Sequence, residues 1–129
     1  SGRVESVEIL MQSCVFCKII EGKIPATIIA ENEHVIAIKD INPKAPIHYL
    51  IIPKKHLSDI AAFDESDLNL AGHMVLMAKH LSQTLSGSPA FKIMVNNGAD
   101  AGQVVFHSHF HFLAGNPSTT LRMIGMAEF

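Results

Sequence analysis

The chain has 129 residues, 48% of them hydrophobic and 17% charged, with a formal net charge of −2 and a mean hydropathy of +0.27. That length makes one domain and leaves no room for a second. The charge balance argues against a surface built to wrap nucleic acid, and apolar runs as short as Tyr49-Leu50-Ile51-Ile52 exclude a bilayer-spanning helix.

Residues 1–13 carry no strong hydrophobic period and are expected to form a flexible lead-in to a single domain over 14–129 that ends in a C-terminal tail. Ser1-Gly2 reads either as a cloning remnant ahead of a natural start at Met11 or as ordinary N-terminal processing. The lead-in lacks the apolar core of a signal peptide, so the expected location is the cytoplasm. Cys14-Val15-Phe16-Cys17 is half a zinc site by spacing; a redox pair or two inert thiols are the competing readings.

Val15 to Ile20 is short and apolar and is closed by Glu21-Gly22 and Ile24-Pro25, which predicts one or two helical turns. Thr27 to Ala30 and His34 to Lys39 are β-branched runs around Glu31-Asn32-Glu33, a hairpin signal. A third strand, Ile47 to Ile52, is bracketed by Pro46 and Pro53. Between Ser66 and Ser86, the spacing of Leu68, Ala71, Val75, Ala78, Leu81 and Leu85 predicts the one long helix, with Asp64 or Ser66 as cap, Gly87 as stop, and Met74 and Met77 as gap-filling core. Phe91 to Val95 and Val104 to Leu113 supply the last strands. The expected architecture is α+β: an antiparallel sheet of about five strands with one long and one short helix packed on one side.

His107-Ser108-His109-Phe110-His111-Phe112 places three imidazoles at spacing two. On an extended chain His107, His109 and His111 share one face and Phe106, Phe110 and Phe112 the other, so one face is chemical and the other is core. Three polar rings in register make a poor core, because each ring nitrogen needs a partner. Such a ladder can bind zinc with an open position, or supply a ring nitrogen that attacks phosphorus and forms a covalent intermediate. The preceding turn-rich stretch, Asn96-Asn97-Gly98-Ala99-Asp100-Ala101-Gly102-Gln103, favours a phosphate substrate, since its glycines let backbone amides approach an anion.

The run from Gly102 to Gly115 resembles the His-x-His-x-His signature of the histidine triad (HIT) superfamily. The segments Phe16-Cys17-Lys18-Ile19-Ile20, Ile24-Pro25-Ala26, Asp40 to His48 and Ile51-Ile52-Pro53-Lys54-Lys55-His56 are similar, in order, to those of Hint-type, histidine triad nucleotide-binding proteins. Ala114-Gly115 after the triad resembles that branch more than the dinucleotide-polyphosphate hydrolases, where a Pro-Arg pair is usual.

The resemblance implies the fold, a homodimer with a continuous sheet, and a purine nucleoside phosphoramidase that splits AMP- or GMP-like phosphoramidates through a nucleotidyl-histidine. It implies His109 as nucleophile, His111 and His48 as lining the phosphate and assisting proton movement, and backbone amides near Gly102 and Gln103 as steadying its oxygens. Phe16, Ile19 and Ile41 would hold the base, Asp40 the ribose, and Asn96 sugar or phosphate. On residues alone Asp40 reads as a turn residue in Asp40-Ile41-Asn42-Pro43. The resemblance also implies a closed structural zinc site on Cys14, Cys17, His56 and His107.

Two features depart from the pattern: Val104 stands where relatives often carry Ser near the leaving group, and the tail from Asn116 to Phe129 lacks Trp. His34, His73 and His80 match no motif and read as surface or helix residues. The rival readings are a nucleotide- or partner-binding module with vestigial turnover, and a metallohydrolase with the triad as ligands.

Overall fold

The computed structural model describes residues 13–115; the lead-in before Ser13 and the tail from Asn116 lie outside the described residues. Two helices, α1 (Val15–Ile20) and α2 (Leu68–Ser82), accompany five strands: β1 (Ile28–Glu31), β2 (Val35–Lys39), β3 (Ile47–Pro53), β4 (Phe91–Met94) and β5 (Phe110–Ala114). The strands form one antiparallel sheet in the order β1-β2-β3-β5-β4, which leaves β1 and β4 at its edges. No helix among the described residues is long and apolar enough to cross a membrane.

The sheet is covered on both faces, not on one. Val35 to Ile38 are all buried, and pleating sends alternate side chains of this run to opposite sides, so each side needs a cover. Val35, Ala37, Ile51 and Phe112 pack against Leu70, Met74, Met77 and Leu81 of α2. Ile36, Ile38, Leu50 and Ile52 pack against Cys14, Phe16 and Cys17 at α1.

α2 is shorter than Ser66 to Ser86, and its buried stripe is rotated. Asp64 caps a 3-10 turn (Glu65–Asp67) that leads into the helix, and the backbone leaves it at Gln83, ahead of Gly87. Leu68 is 77% exposed and Val75 64%, whereas Leu70, Met74 and Met77 are buried. Burying each of these side chains contributes on the order of 2 kcal/mol, so the face with more large side chains against the sheet wins over the face with the tidier period.

β5 begins at Phe110 rather than Val104, because pairing with β3 runs only from Ile51 opposite Phe110 to Ile47 opposite Ala114. Residues 104 to 109 follow an irregular path, anchored where the Ser108 amide donates to the Leu57 carbonyl at 2.6 Å. Phe106 is consequently 48% exposed, while Phe112 takes its expected place in the core.

Candidate active site and metal centre

β3 and β5 place His48 and His111 as diagonal neighbours on the α1 face of the sheet, since Leu50 stands opposite His111 and His48 opposite Leu113. Their nitrogens, His48 Nε2 and His111 Nδ1, lie 2.8 Å apart. The direction of that bond follows from the far side of His48: the Lys44 amide donates to His48 Nδ1 at 3.0 Å. A neutral imidazole that accepts at Nδ1 carries its proton at Nε2, so His48 donates to His111 Nδ1 and His111 carries its own proton on Nε2.

His109 is set in the opposite sense. Its Nδ1 donates to the His107 carbonyl at 2.7 Å, which leaves Nε2 as an unprotonated lone pair. Its ring stands edge-on to Phe16 at 5.0 Å and to His111 at 5.2 Å. Burial lowers the pKa of His109, opposed by the His107 carbonyl and Asp40, and burial together with His109 and His48 pushes His111 down to about 4. Burial lowers His48 as well, against Asp40. All three rings are therefore neutral near pH 7.

These rings open onto a cleft of about 560 Å³. Phe16, Ile19, Asp40, Ile41, Asn96, Gly102 and Gln103 line it together with His48, His109 and His111, so every residue expected to hold nucleotide is brought to one place. Asp40 Oδ1 accepts from the Asn42 amide at 2.7 Å, the turn contact expected of it, while Asp40 also lines the cleft with Oδ2 3.4 Å from His48 Nε2. Ile41 is 91% exposed over the mouth.

The expected amide cradle is different in detail. The Gly102 and Gln103 amides donate to the carbonyls of Ala99 and Gly98 inside the turn, so neither is free for a phosphate oxygen. The buried Gln103 side chain braces the loop instead, accepting from the Gly98 amide and donating to the Ser58 and Val105 carbonyls at 2.7 and 3.0 Å. Sequence reasoning also missed the Lys44 amide and the Pro53 carbonyl, which no side-chain pattern announces, and the lining contributed by Val15, Ile24, Ile38 and Leu50.

His107 belongs to a separate centre. The His107 Nε2 proton is donated to the Pro53 carbonyl at 2.7 Å, which leaves Nδ1 facing Cys14 Sγ at 3.3 Å and Cys17 Sγ at 3.6 Å. His56 Nδ1 lies 3.2 Å from Cys17 Sγ, and the four ligand atoms all fall within 4.8 Å of one another. Bond lengths of about 2.3 Å to sulfur and 2.0 Å to nitrogen around a tetrahedral ion put ligand atoms roughly 3.5 Å apart, which these separations fit. Burial, with Cys14 and Glu21 adding to it, pushes the Cys17 thiol up to about 12, and burial pushes His107 down to about 4. Two buried sulfurs beside two neutral imidazoles form a donor set that only a soft or borderline cation completes.

Asp40, His48 and His111 also converge, but the tautomers disqualify them as a metal site: His48 Nε2 carries the proton that a metal would have to replace. Among the described residues His107 groups with Cys14, Cys17 and His56, whereas His111 groups with Asp40 and His48, so the three triad histidines do not converge on one point. His34 and His73 stack on each other at 4.3 Å, away from the cleft.

Comparison with known proteins agrees with this geometry. The family model described as scavenger mRNA decapping enzyme C-terminal binding matches residues 13–124. An uncharacterized HIT-like protein of Synechocystis is 44% identical over 108 residues, covering 84% of this chain and 95% of its own. A solved HIT family hydrolase from Clostridium thermocellum is 43% identical with a TM-score of 0.78, covering 81% of this chain and 92% of that one. A Zn-bound histidine triad family protein from Mycobacterium smegmatis is 31% identical with a TM-score of 0.71, over 83% of this chain and 78% of that one. With an alternating triad whose middle ring lines the cleft and carries its proton on Nδ1, and with relatives matched over most of both chains, the protein belongs to the histidine triad superfamily.

Proposed function

We propose that the protein is a purine nucleoside phosphoramidase that cleaves the P–N bond of adenosine or guanosine 5′-phosphoramidates. The observation that carries this reading is the orientation of His109, whose Nδ1 is held by the His107 carbonyl so that Nε2 is a lone pair next to the cleft. Phe16, Ile19 and Ile41 offer apolar surface to the base, Asp40 accepts hydrogen bonds from the ribose hydroxyls, and Asn96 reaches sugar or phosphate.

His109 Nε2 attacks phosphorus, the P–N bond breaks, and the amine leaves with a proton from solvent. Water then attacks the nucleotidyl-histidine, releases nucleotide and restores the ring, losing the matching proton. The carbonyl partner at Nδ1 stabilises the charge that develops on the ring. His111, held through His48 and the Lys44 amide, presents Nε2–H to the phosphoryl oxygens, a donor placed before the charge appears. Proton movement through the His48–His111 pair requires charging it first, which burial opposes and Asp40 favours.

Cys14, Cys17, His56 and His107 would hold one zinc ion in a closed structural site, and bound zinc would supply a cross-link between α1 and the triad segment. The active form in this reading is a cytoplasmic homodimer. Steady-state turnover of adenosine 5′-phosphoramidate tests the reading against a vestigial binding module: His109→Ala should lose turnover by three or more orders of magnitude while still binding AMP, roughly the loss expected when a covalent route is deleted. Near-normal turnover by the pure variant would refute it.

A further inference from the structure

Cys14 and Cys17 differ in access. Cys14 is 8% exposed and lines a cavity of about 310 Å³ together with Val15, His56, Val104 and Phe106, whereas Cys17 is 3% exposed and lies outside that lining. A small uncharged oxidant that enters the cavity meets Cys14 first. The two sulfurs fall within 4.8 Å of each other, and the Cys17 amide donates to Cys14 Sγ at 3.4 Å across the first turn of α1. We propose that Cys14 and Cys17 are a peroxide-sensitive pair: Cys14 is the site of oxidation, Cys17 resolves it as a disulfide, and zinc and activity are lost together. The inference rests on the zinc and phosphoramidase readings above and adds regulation to them.

Hydrogen peroxide supplies the oxidising equivalents. Cys14 Sγ attacks one peroxide oxygen, the O–O bond breaks, and a sulfenic acid forms as the other oxygen leaves as water. Cys17 Sγ then attacks the sulfenic sulfur, so that the S–S bond forms and a second water leaves. From the zinc-bound pair, two thiolates, one hydrogen peroxide and two protons become one disulfide and two waters, and the metal departs as a dication. Disulfide sulfur is neutral and a poor donor, and His56 and His107 alone are half of a closed set. The effect reaches the cleft by two contacts. Phe16, between the two cysteines in the chain, stands edge-on to His107 at 5.8 Å and to His109 at 5.0 Å, and the His107 carbonyl orients His109. Loss of the metal therefore frees the two groups that hold the attacking ring.

The test treats full-length, zinc-loaded protein with hydrogen peroxide and follows zinc with a chromogenic chelator, the thiols by mass spectrometry, and turnover of adenosine 5′-phosphoramidate. Release of about one zinc per chain should keep step with a Cys14–Cys17 disulfide, a melting temperature lower by on the order of 5 °C and a loss of turnover. Dithiothreitol with added zinc should restore all of these. Dimedone present during oxidation should label Cys14 ahead of Cys17, and more heavily in Cys17→Ser, which lacks the resolving thiol. Zinc retained and thiols intact at a peroxide dose that oxidises the urea-unfolded protein, or label arising first on Cys17 of the wild type, would overturn the pair and leave the zinc and hydrolase readings standing. Protein that takes up no zinc would overturn the metal-centre reading and zinc release with it. Absence of turnover before treatment would overturn the hydrolase reading, and zinc release with thiol mapping would still decide the pair.

Discussion

At the scale of single residues, the chemistry is decided by backbone groups that aim side chains. The Lys44 amide fixes the proton of His48, His48 fixes that of His111, and the His107 carbonyl fixes that of His109. Nitrogen-detected NMR of the histidine side chains should therefore find Nε2–H on His48 and His111 and Nδ1–H on His109 at neutral pH; the reverse tautomer at His109 would remove the lone pair from the cleft. Because burial holds these rings neutral, kcat/KM should stay flat as pH falls from 8 through the ordinary histidine value of 6.5, with its acid limb below that value.

Stability should follow the same sign. With His111 at about 4 when folded and 6.5 when unfolded, the unfolded chain binds more protons between those values, so stability falls as pH drops through that window. His111→Asn should flatten the corresponding drop in melting temperature between pH 7 and pH 5. The triad was legible in the sequence because its spacing survives as pattern, whereas Asp40, Phe16, Ile19 and Ile41 were picked out only through the resemblance, since on residues alone they read as a turn and as core; the amide and carbonyl partners were not legible, since every residue has them and only the fold says which are in reach.

At the scale of elements, the Cys14, Cys17, His56 and His107 cluster joins α1 to the segment before β5, two pieces separated by 90 residues between Cys17 and His107. Protein purified without chelator should carry about one zinc per chain, and Cys17→Ser should lower the melting temperature by on the order of 5 °C or more. Activity should decline with the loosening of the structure and not ahead of it. Metal-free wild-type protein with the same melting temperature as Cys17→Ser would make the cysteines bystanders. The end of β5 offers a sharper probe: Gly115 has φ +120°, and an added Cβ would lie 2.8 Å from the Pro46 ring. Gly115→Ala should cost about 1–3 kcal/mol in denaturant unfolding.

The strands were readable within a residue or two except β5, whose alternating histidines and phenylalanines suit a strand throughout but turn irregular where His107 faces the cysteines. The helix stripe misled for a related reason. Leu68 and Val75 follow the period as well as Met74 and Met77 do, and only contact with the sheet separates them.

At the scale of the whole molecule, Leu68, Val75 and Leu76 leave an apolar strip on the outer face of α2, and the edge strand β4 exposes Phe91 and Ile93. These surfaces suit the proposed second copy, and light scattering at micromolar concentration should report a dimer that Leu76→Asp weakens; a stable wild-type monomer would contradict it. A charged fraction of only 17% fits a subunit interface and a full core equally, because composition counts residues without saying which side of a helix they occupy. Catalysis itself is tested most directly by rapid quenching of the protein with labelled adenosine 5′-phosphoramidate, followed by peptide mapping. A nucleotidyl group on His109, formed within one turnover and absent from His109→Ala, is the predicted result; turnover with no labelled histidine at any quench time would contradict it.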